Sequence, residues 1–252
     1  MNAPPSERTA LQRSPFVGSP PSWLPAERWI SIVLVIALVL LATIFQTRLA
    51  PGLRADGESG IVAPLSLDPS LYKPAPLADP PVAGLIGTGT WPPTRSAVER
   101  LLERVWPAVR RAAPDARLVI AGRGMGFLEG RDLGPGVELL GEVPSSREFL
   151  RGLSVLVFPL ERGSGMKVKV LESIASGVPV VTTAAGAEGV EPNSGVIVEA
   201  GDQELADATA RLLVDPVERR ERGDMARATF ERLYSPKPAT EPLLELYKRL
   251  AG

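Results

Sequence analysis

Beyond residue 81 the chain alternates between short apolar runs and longer stretches in which apolar residues recur every three to four positions. Val82-Ala83-Gly84-Leu85-Ile86-Gly87 has the length and content of a strand, and Ser96 to Ala113 follows as a helix with Val98, Leu101, Leu102, Val105, Val109 and Ala112 on its inner side. A further apolar run, Val155 to Phe158, stops at Pro159-Leu160-Glu161-Arg162, where a loop begins. Pro179-Val180-Val181-Thr182-Thr183 reads as a buried parallel strand, and helices are expected near Gln203 to Leu213, Val217 to Leu233 and Thr240 to Leu250. Such alternation implies a doubly wound α/β fold, with one parallel sheet, right-handed crossovers and ligands at the carboxyl ends of the strands. The roughly 170 residues available make one ordinary domain of this class, since domains run to about 100–200 residues.

The first 80 residues follow a different pattern. Residues 1–28 are rich in Pro and Ser without periodicity and read as a disordered tail. Residues 29–47 carry no charge, are bracketed by Arg28 and Arg48 and begin at Trp29, which suits a membrane-spanning helix of about 17–25 residues. A buried core helix would show a polar face, and only Ser31 and Thr43 interrupt the apolar run through Phe45. A signal peptide fits poorly behind a long tail containing Glu7 and Glu27, although Arg48-Leu49-Ala50 offers a weak cleavage site. Arg13 and Arg28 on one side balance Arg48 and Arg54 on the other, so charge does not orient the span. Residues 48–80, where Pro, Gly, Asp and Ser alternate, read as a linker to a globular domain at 81–252.

The chemistry concentrates in residues 163–190. Gly163 and Gly165 allow a tight turn, Ser164 is a candidate cap for a helix starting near Met166, and that helix places Val168, Leu171, Ile174 and Ala175 on one face until Gly177 ends it. Its free N–H groups and dipole favour an anion such as a diphosphate. Without cysteine there are no disulfides or thiolate metal sites, and without histidine the commonest general base is missing, which removes most hydrolase mechanisms. The balance of 28 basic and 29 acidic residues gives no electrostatic case for nucleic acid.

Several segments together resemble a known family. Leu171-Glu172-Ser173-Ile174-Ala175-Ser176-Gly177-Val178-Pro179-Val180-Val181 is similar to the L-E-A-M-A-x-G-x-P-V-V segment of retaining glycosyltransferases of the GT-B fold, family 4 or group 1 type. Ala116 to Gly124 resembles that family's A-x-L-x-I-x-G-x-G, Val137 to Val143 its V-x-x-x-G-x-V, and Gly186 to Val190 with Gly195 to Gly201 its following turn and strand. The resemblance runs from about Pro81 to Leu250 and implies the C-terminal, nucleotide-sugar-binding half of a GT-B enzyme, a single Rossmann-like domain.

The resemblance also implies roles. Glu172 matches the family's ribose-binding glutamate, whose two oxygens suit a vicinal diol. Gly163, Ser164, Gly165 and Met166 match the loop that approaches sugar and diphosphate, and Gly141, Glu142 and Val143 match the segment beside the base. Lys167 and Lys169 match basic positions of a subgroup reading G-x-G-x-K-x-K-x-L-E, where a lysine neutralises phosphate. Taken alone, Glu172 and Lys169 fit a surface ion pair equally well, the lysines fit a solvated face, and Ser164 fits a helix cap. The expected partner is a UDP- or GDP-linked sugar bound as a substrate, with no cofactor and no metal. A nicotinamide site is the weaker rival, because Gly87-Thr88-Gly89 is followed by Pro92 where its third glycine belongs, and Ala121-Gly122-Arg123 lacks the expected acid.

Three departures bear on catalysis. Ser164 stands where relatives carry a first glutamate, the segment after the first strand offers only Arg95 in place of an Arg and Lys clamp, and the acceptor-binding domain of a GT-B enzyme is not recognisable in the chain. Two functions follow as expectations. One is a membrane-anchored transferase acting on a glycan or lipid-linked acceptor, its domain in the cytoplasm where nucleotide sugars are made, completed by a separate acceptor-domain protein or by self-association. The other is a non-catalytic binding or scaffold domain, or a truncated remnant.

Overall fold

The computed structural model describes residues 63–74 and 80–251. The tail at 1–28 and the expected membrane span at 29–47 lie outside the described residues, among which no helix is long and apolar enough to cross a membrane. Six strands form one parallel sheet in the order β3-β2-β1-β4-β5-β6. They are β1 (Val82–Ile86), β2 (Arg117–Ala121), β3 (Val137–Gly141), β4 (Val155–Phe158), β5 (Val180–Thr182) and β6 (Val196–Val198). The step from β1 outward to β3 and then back across to β4 puts the change of direction between β1 and β4, where the carboxyl ends of two neighbouring strands diverge and leave a crevice. β4 and β5 are buried at every position, as expected of strands covered on both faces, whereas the edge strand β3 alternates.

The helices are α1 (Pro92–Arg100), α2 (Trp106–Ala112), α3 (Ser146–Arg151), α4 (Val168–Ala175), α5 (Asp202–Val214), α6 (Pro216–Leu233) and α7 (Pro236–Ala251). α2 packs on α5 and α5 on β4 and β5, while α3, α4 and α6 pack in series. The helix expected from Ser96 to Ala113 is α1 and α2 joined by a π-helical turn at Leu101–Val105. Pro107 explains the turn, because its ring would clash with the carbonyl four residues back and it has no N–H to donate. The extra residue rotates the inner face: Val98, Leu101, Leu102, Val105 and Val109 are buried as expected, but Ala112 is exposed and Ala113 takes its place.

The helix expected near Met166 begins at Val168, with Lys167 as N-cap and no side-chain cap, so Ser164 does not serve as one. Its buried face is Val170, Leu171, Ser173, Ile174 and Ala175, and Val168 is exposed. Leu171, Ile174 and Ala175 are therefore buried as expected, and only Val168, in the first turn, faces outward. Gly177, at φ 67°, closes α4 in the left-handed region. A Cβ on Gly223 of α6 would come 2.5 Å from the Gly177 carbonyl oxygen, so the close approach of the two backbones requires glycine at 223, while Gly177 is required by its positive φ.

The segment expected as linker is partly fastened to the domain. Within residues 63–74, Pro69–Leu71 forms a 3₁₀ turn capped by Asp68, which accepts from the Ser70 N–H at 2.9 Å, and Tyr72 is 6% exposed. Leu67 N–H donates to the Tyr234 carbonyl at 3.1 Å, and Arg227 of α6 donates to the Tyr72 carbonyl. The Pro content that suggested a spacer serves here as a stiff strap over α4 and α6.

Gly223→Ala is expected to force α4 and α6 apart and to lower stability by about 1–3 kcal/mol, measured as a fall in the urea midpoint without a change in slope.

Candidate functional site

The crevice between β1 and β4 holds a cavity of about 490 Å³. Gly87, Thr88, Trp91 and Thr94 line it from the β1 side, and Phe158, Ser164, Met166, Lys167, Val168 and Lys169 from the connection between β4 and α4. Thr182 and Thr183 at the end of β5 donate their hydroxyls to the Phe158 and Leu160 carbonyls, holding the chain as it leaves β4. Glu161 then turns aside to pair with Arg104 and to accept from Ser96 at 3.4 Å. The following residues, Gly163, Ser164 and Gly165, are exposed at the mouth, with Gly165 at φ 73°.

Lys167 and Lys169 do not lie on a solvated face. Lys167 is buried, donates to the Gly165 carbonyl and lies 3.5 Å from the Glu188 carboxylate, so its charge is already engaged. Lys169 reaches across the crevice floor, where its Nζ donates to Thr94 Oγ1 at 3.3 Å and sits 4.2 Å from the centre of the Phe158 ring. A Cβ at Gly87, just after β1, would meet that Nζ at 2.6 Å, so any larger residue there would displace the lysine from its place. Burial pulls the Lys169 ammonium from 10.5 down to about 8, against the opposing charge of Glu172 and with help from the like charge of Lys167. Among the described residues no carboxylate comes within ion-pairing distance of it, so the surface ion pair with Glu172 does not form.

Glu172 lies one turn further along α4, half-buried, outside the cavity lining. Its Oε1 accepts from Tyr72 Oη at 3.0 Å and from Ser146 Oγ at 3.3 Å. Burial and then the Glu172 charge push the Tyr72 phenol up to about 12, so it donates throughout the neutral range. Gly141 ends β3, with Glu142 and Val143 just after it, on the far side of β1, and none of the three lines the cavity. Gly141, at φ 66°, accepts from Gly122 N–H at 2.7 Å; Glu142 is exposed and Val143 half-buried. Arg95 pairs with Glu99 at 3.0 Å and stacks 4.6 Å from the centre of the Phe127 ring. Among the described residues no group of acidic side chains is placed to hold a metal ion.

The profile of the family described as glycosyl transferases group 1 matches residues 80–215, more than half of the 252-residue chain. The chain belongs to this family. No curated protein matches it. Among solved structures it is similar to a mutant of S. aureus TarM in complex with fondaparinux, alpha-GlcNAc-glycerol and UDP, with 22% identity, a TM-score of 0.59, and coverage of 70% of this chain and 37% of that one. It is similar to the sucrose-phosphate synthase of Thermosynechococcus elongatus, with 21% identity, a TM-score of 0.60 and coverage of 75% and 52%. It is also similar to the C-terminal domain of the group 1 glycosyl transferase LpcC of Francisella tularensis, with 18% identity, a TM-score of 0.52 and coverage of 68% of this chain and 100% of that domain. The chain therefore spans about a third to a half of the two longer proteins and the whole of the isolated C-terminal domain. The domain is the C-terminal, Rossmann-like half of a GT-B fold.

Within this group 1 domain, four of the ten residues singled out from sequence, Ser164, Met166, Lys167 and Lys169, meet in one cavity. Gly163 and Gly165 flank it in the same loop, Glu172 stands one helical turn away, and Gly141 to Val143 stand beyond β1. Thr88, Trp91 and Thr94 were not foreseen, although the Gly87-Thr88-Gly89 turn with an exposed Trp91 behind it marks the end of a strand that borders the crevice. Ser146, at the first position of α3, and Tyr72, inside a Pro-rich segment, carry no signal that sequence spacing alone displays.

Because Lys169 holds its proton less tightly folded than unfolded, the native state bears the full cost of that charge below about pH 8 and sheds it as the pH rises toward 10.5, so stability climbs across that window. Lys169→Met is expected to raise stability by about 1–2 kcal/mol at neutral pH and to remove that climb, read by urea unfolding at several pH values.

Proposed function

We propose that this domain binds a UDP- or GDP-linked sugar and acts as the donor half of a retaining, nucleotide-sugar-dependent glycosyltransferase. The observation that carries this reading is the Lys169 ammonium, held without a carboxylate partner on the floor of a crevice at the carboxyl ends of β1 and β4. A buried cation without a counter-ion favours an anion from solution, and the uncapped N-terminus of α4 lies beside it. A diphosphate there would bring its nucleoside toward Glu172 and the turn after β3, and its sugar toward Gly163, Ser164 and Gly165.

In the proposed transfer the bond from the sugar's anomeric carbon to the diphosphate oxygen breaks and one to an acceptor hydroxyl oxygen forms. Negative charge builds on the departing diphosphate oxygen, which takes the bonding electron pair, and the acceptor's hydroxyl proton passes to that oxygen or to solvent as the nucleoside diphosphate leaves. Lys169 and the α4 terminus would stabilise that charge more in the leaving group than in the bound donor, which is the condition for acceleration. Glu172 would hold the ribose. Ser164 occupies the position of the family's first glutamate, so contact with the donor sugar would fall to backbone groups of the loop.

A separate acceptor-binding domain or a second copy would close the crevice, and α7 presents Leu243, Leu244, Tyr247 and Leu250 as an exposed apolar face suited to such a partner. Residues 29–47 would tether the protein to a membrane, with the domain on the cytoplasmic side, where a lipid-linked or glycan acceptor and the donor are both accessible.

Calorimetric titration of the full chain, kept in detergent micelles, with UDP and GDP is expected to show binding of one of them, weakened at least tenfold by Glu172→Ala. Since bound diphosphate would keep Lys169 protonated, affinity should be level between about pH 7 and 8, above the titration of the terminal phosphate near pH 6, and decline above about pH 8, and Lys169→Met should remove that decline. A folded protein that binds neither nucleotide would overturn the reading.

A further inference from the structure

We infer that Tyr72, together with Ser146, is a positioning residue that sets the orientation of the Glu172 carboxylate for a ribose diol. The inference rests on the donor-binding reading above and adds to it a residue from outside the matched family segment, which begins at residue 80. Glu172 is a flexible side chain on a short helix, and a carboxylate that must meet two adjacent hydroxyls loses affinity if it has to be ordered at the moment of binding. Here both protein donors converge on one oxygen. Tyr72 Oη at 3.0 Å and Ser146 Oγ at 3.3 Å both donate to Oε1, and among the described residues none donates to Oε2. The carboxylate is therefore fixed at one oxygen while the other stays available.

The strap that brings Tyr72 there is itself tied to the helix it serves. Arg227 of α6 donates from a single nitrogen to the Tyr72 carbonyl and to the Ala175 carbonyl, in the last turn of α4, so strap and helix share one anchor. The Arg147 guanidinium, next to Ser146, lies 5.9 Å from the centre of the Tyr72 ring. A buried phenol needs a hydrogen-bond partner, and many carbonyls would serve. That it meets the ribose-matching carboxylate, from a hundred residues away in sequence, couples the strap to the site.

Tyr72→Phe keeps the ring and removes only the hydroxyl, so it separates positioning from packing. In the full chain, titrated with whichever of UDP and GDP the wild type binds, Tyr72→Phe is expected to weaken binding about five- to tenfold. With the 2′,3′-dideoxy analogue of that nucleotide it should have no effect, and in a Glu172→Ala background it should add nothing. Ser146→Ala should repeat the pattern more weakly, which keeps the test decisive if Tyr72→Phe does not fold. Equal loss with both nucleotides would reduce Tyr72 to a structural role, and unchanged or tighter binding would overturn the inference, the latter marking the phenol as a competitor of the ribose. If Glu172→Ala binds as well as wild type, or wild type binds neither nucleotide, the donor-binding reading itself fails and this inference falls with it.

Discussion

The position of α4 depends on a contact in which neither partner has a side chain. Gly177 and Gly223 allow α4 and α6 to meet backbone to backbone, and α4 carries Lys169, on the crevice floor, and Glu172, one turn further on. Shifting the helix outward by the width of a methyl group would draw the Lys169 ammonium off the crevice floor, where it is aligned with Thr94 and the Phe158 ring. Interiors packed to crystalline density transmit such displacements instead of absorbing them. A contact remote from the cavity thus governs its electrostatics.

Of the two lysines that line the crevice, Lys167 has a carboxylate partner among the described residues and Lys169 has none. Glu188 and the Gly165 carbonyl engage Lys167, and Arg104 draws Glu161 away from the mouth. Arg100, 8% exposed, donates to Asp202 at 2.6 Å and to the Ala200 carbonyl at 2.9 Å, tying α1 to the loop after β6. Each of these is a closed arrangement in which donor and acceptor satisfy one another. Lys169 has only a hydroxyl and an aromatic face, neither of which cancels a full charge, and its depressed pKa is the expression of that shortfall.

The alternation of apolar runs made the parallel sheet legible, because strands buried on both faces leave nearly continuous hydrophobic segments such as Val155 to Phe158. The loop at Gly163 to Gly165 was legible as a turn because its glycines are local, whereas Glu172 stood out only through the resemblance of the segment around it. What escaped was set by tertiary context. The π-helical turn before Pro107 moved burial from Ala112 to Ala113, and the late start of α4 moved it from Val168 to Val170. In the first case the missing amide of Pro107 reset the phase of the helix, whereas α4 kept its expected phase at Leu171, Ile174 and Ala175 and differs only in its first turn.

The strap shows why composition misleads about linkers. Pro, Asp and Ser lower the entropy of the unfolded segment or cap its turn, so little ordering free energy is needed to hold it once a single large side chain finds a buried place. Tyr72 is that side chain, and Asp68 capping the turn at Pro69 aims it. A spacer rich in Gly and Ser of the same length would bear a larger entropic cost and offer no aromatic anchor. The same residues that argue against a helix or strand therefore favour a rigid extended arm, and whether such an arm docks depends on one aromatic ring and the polar group waiting for its hydroxyl.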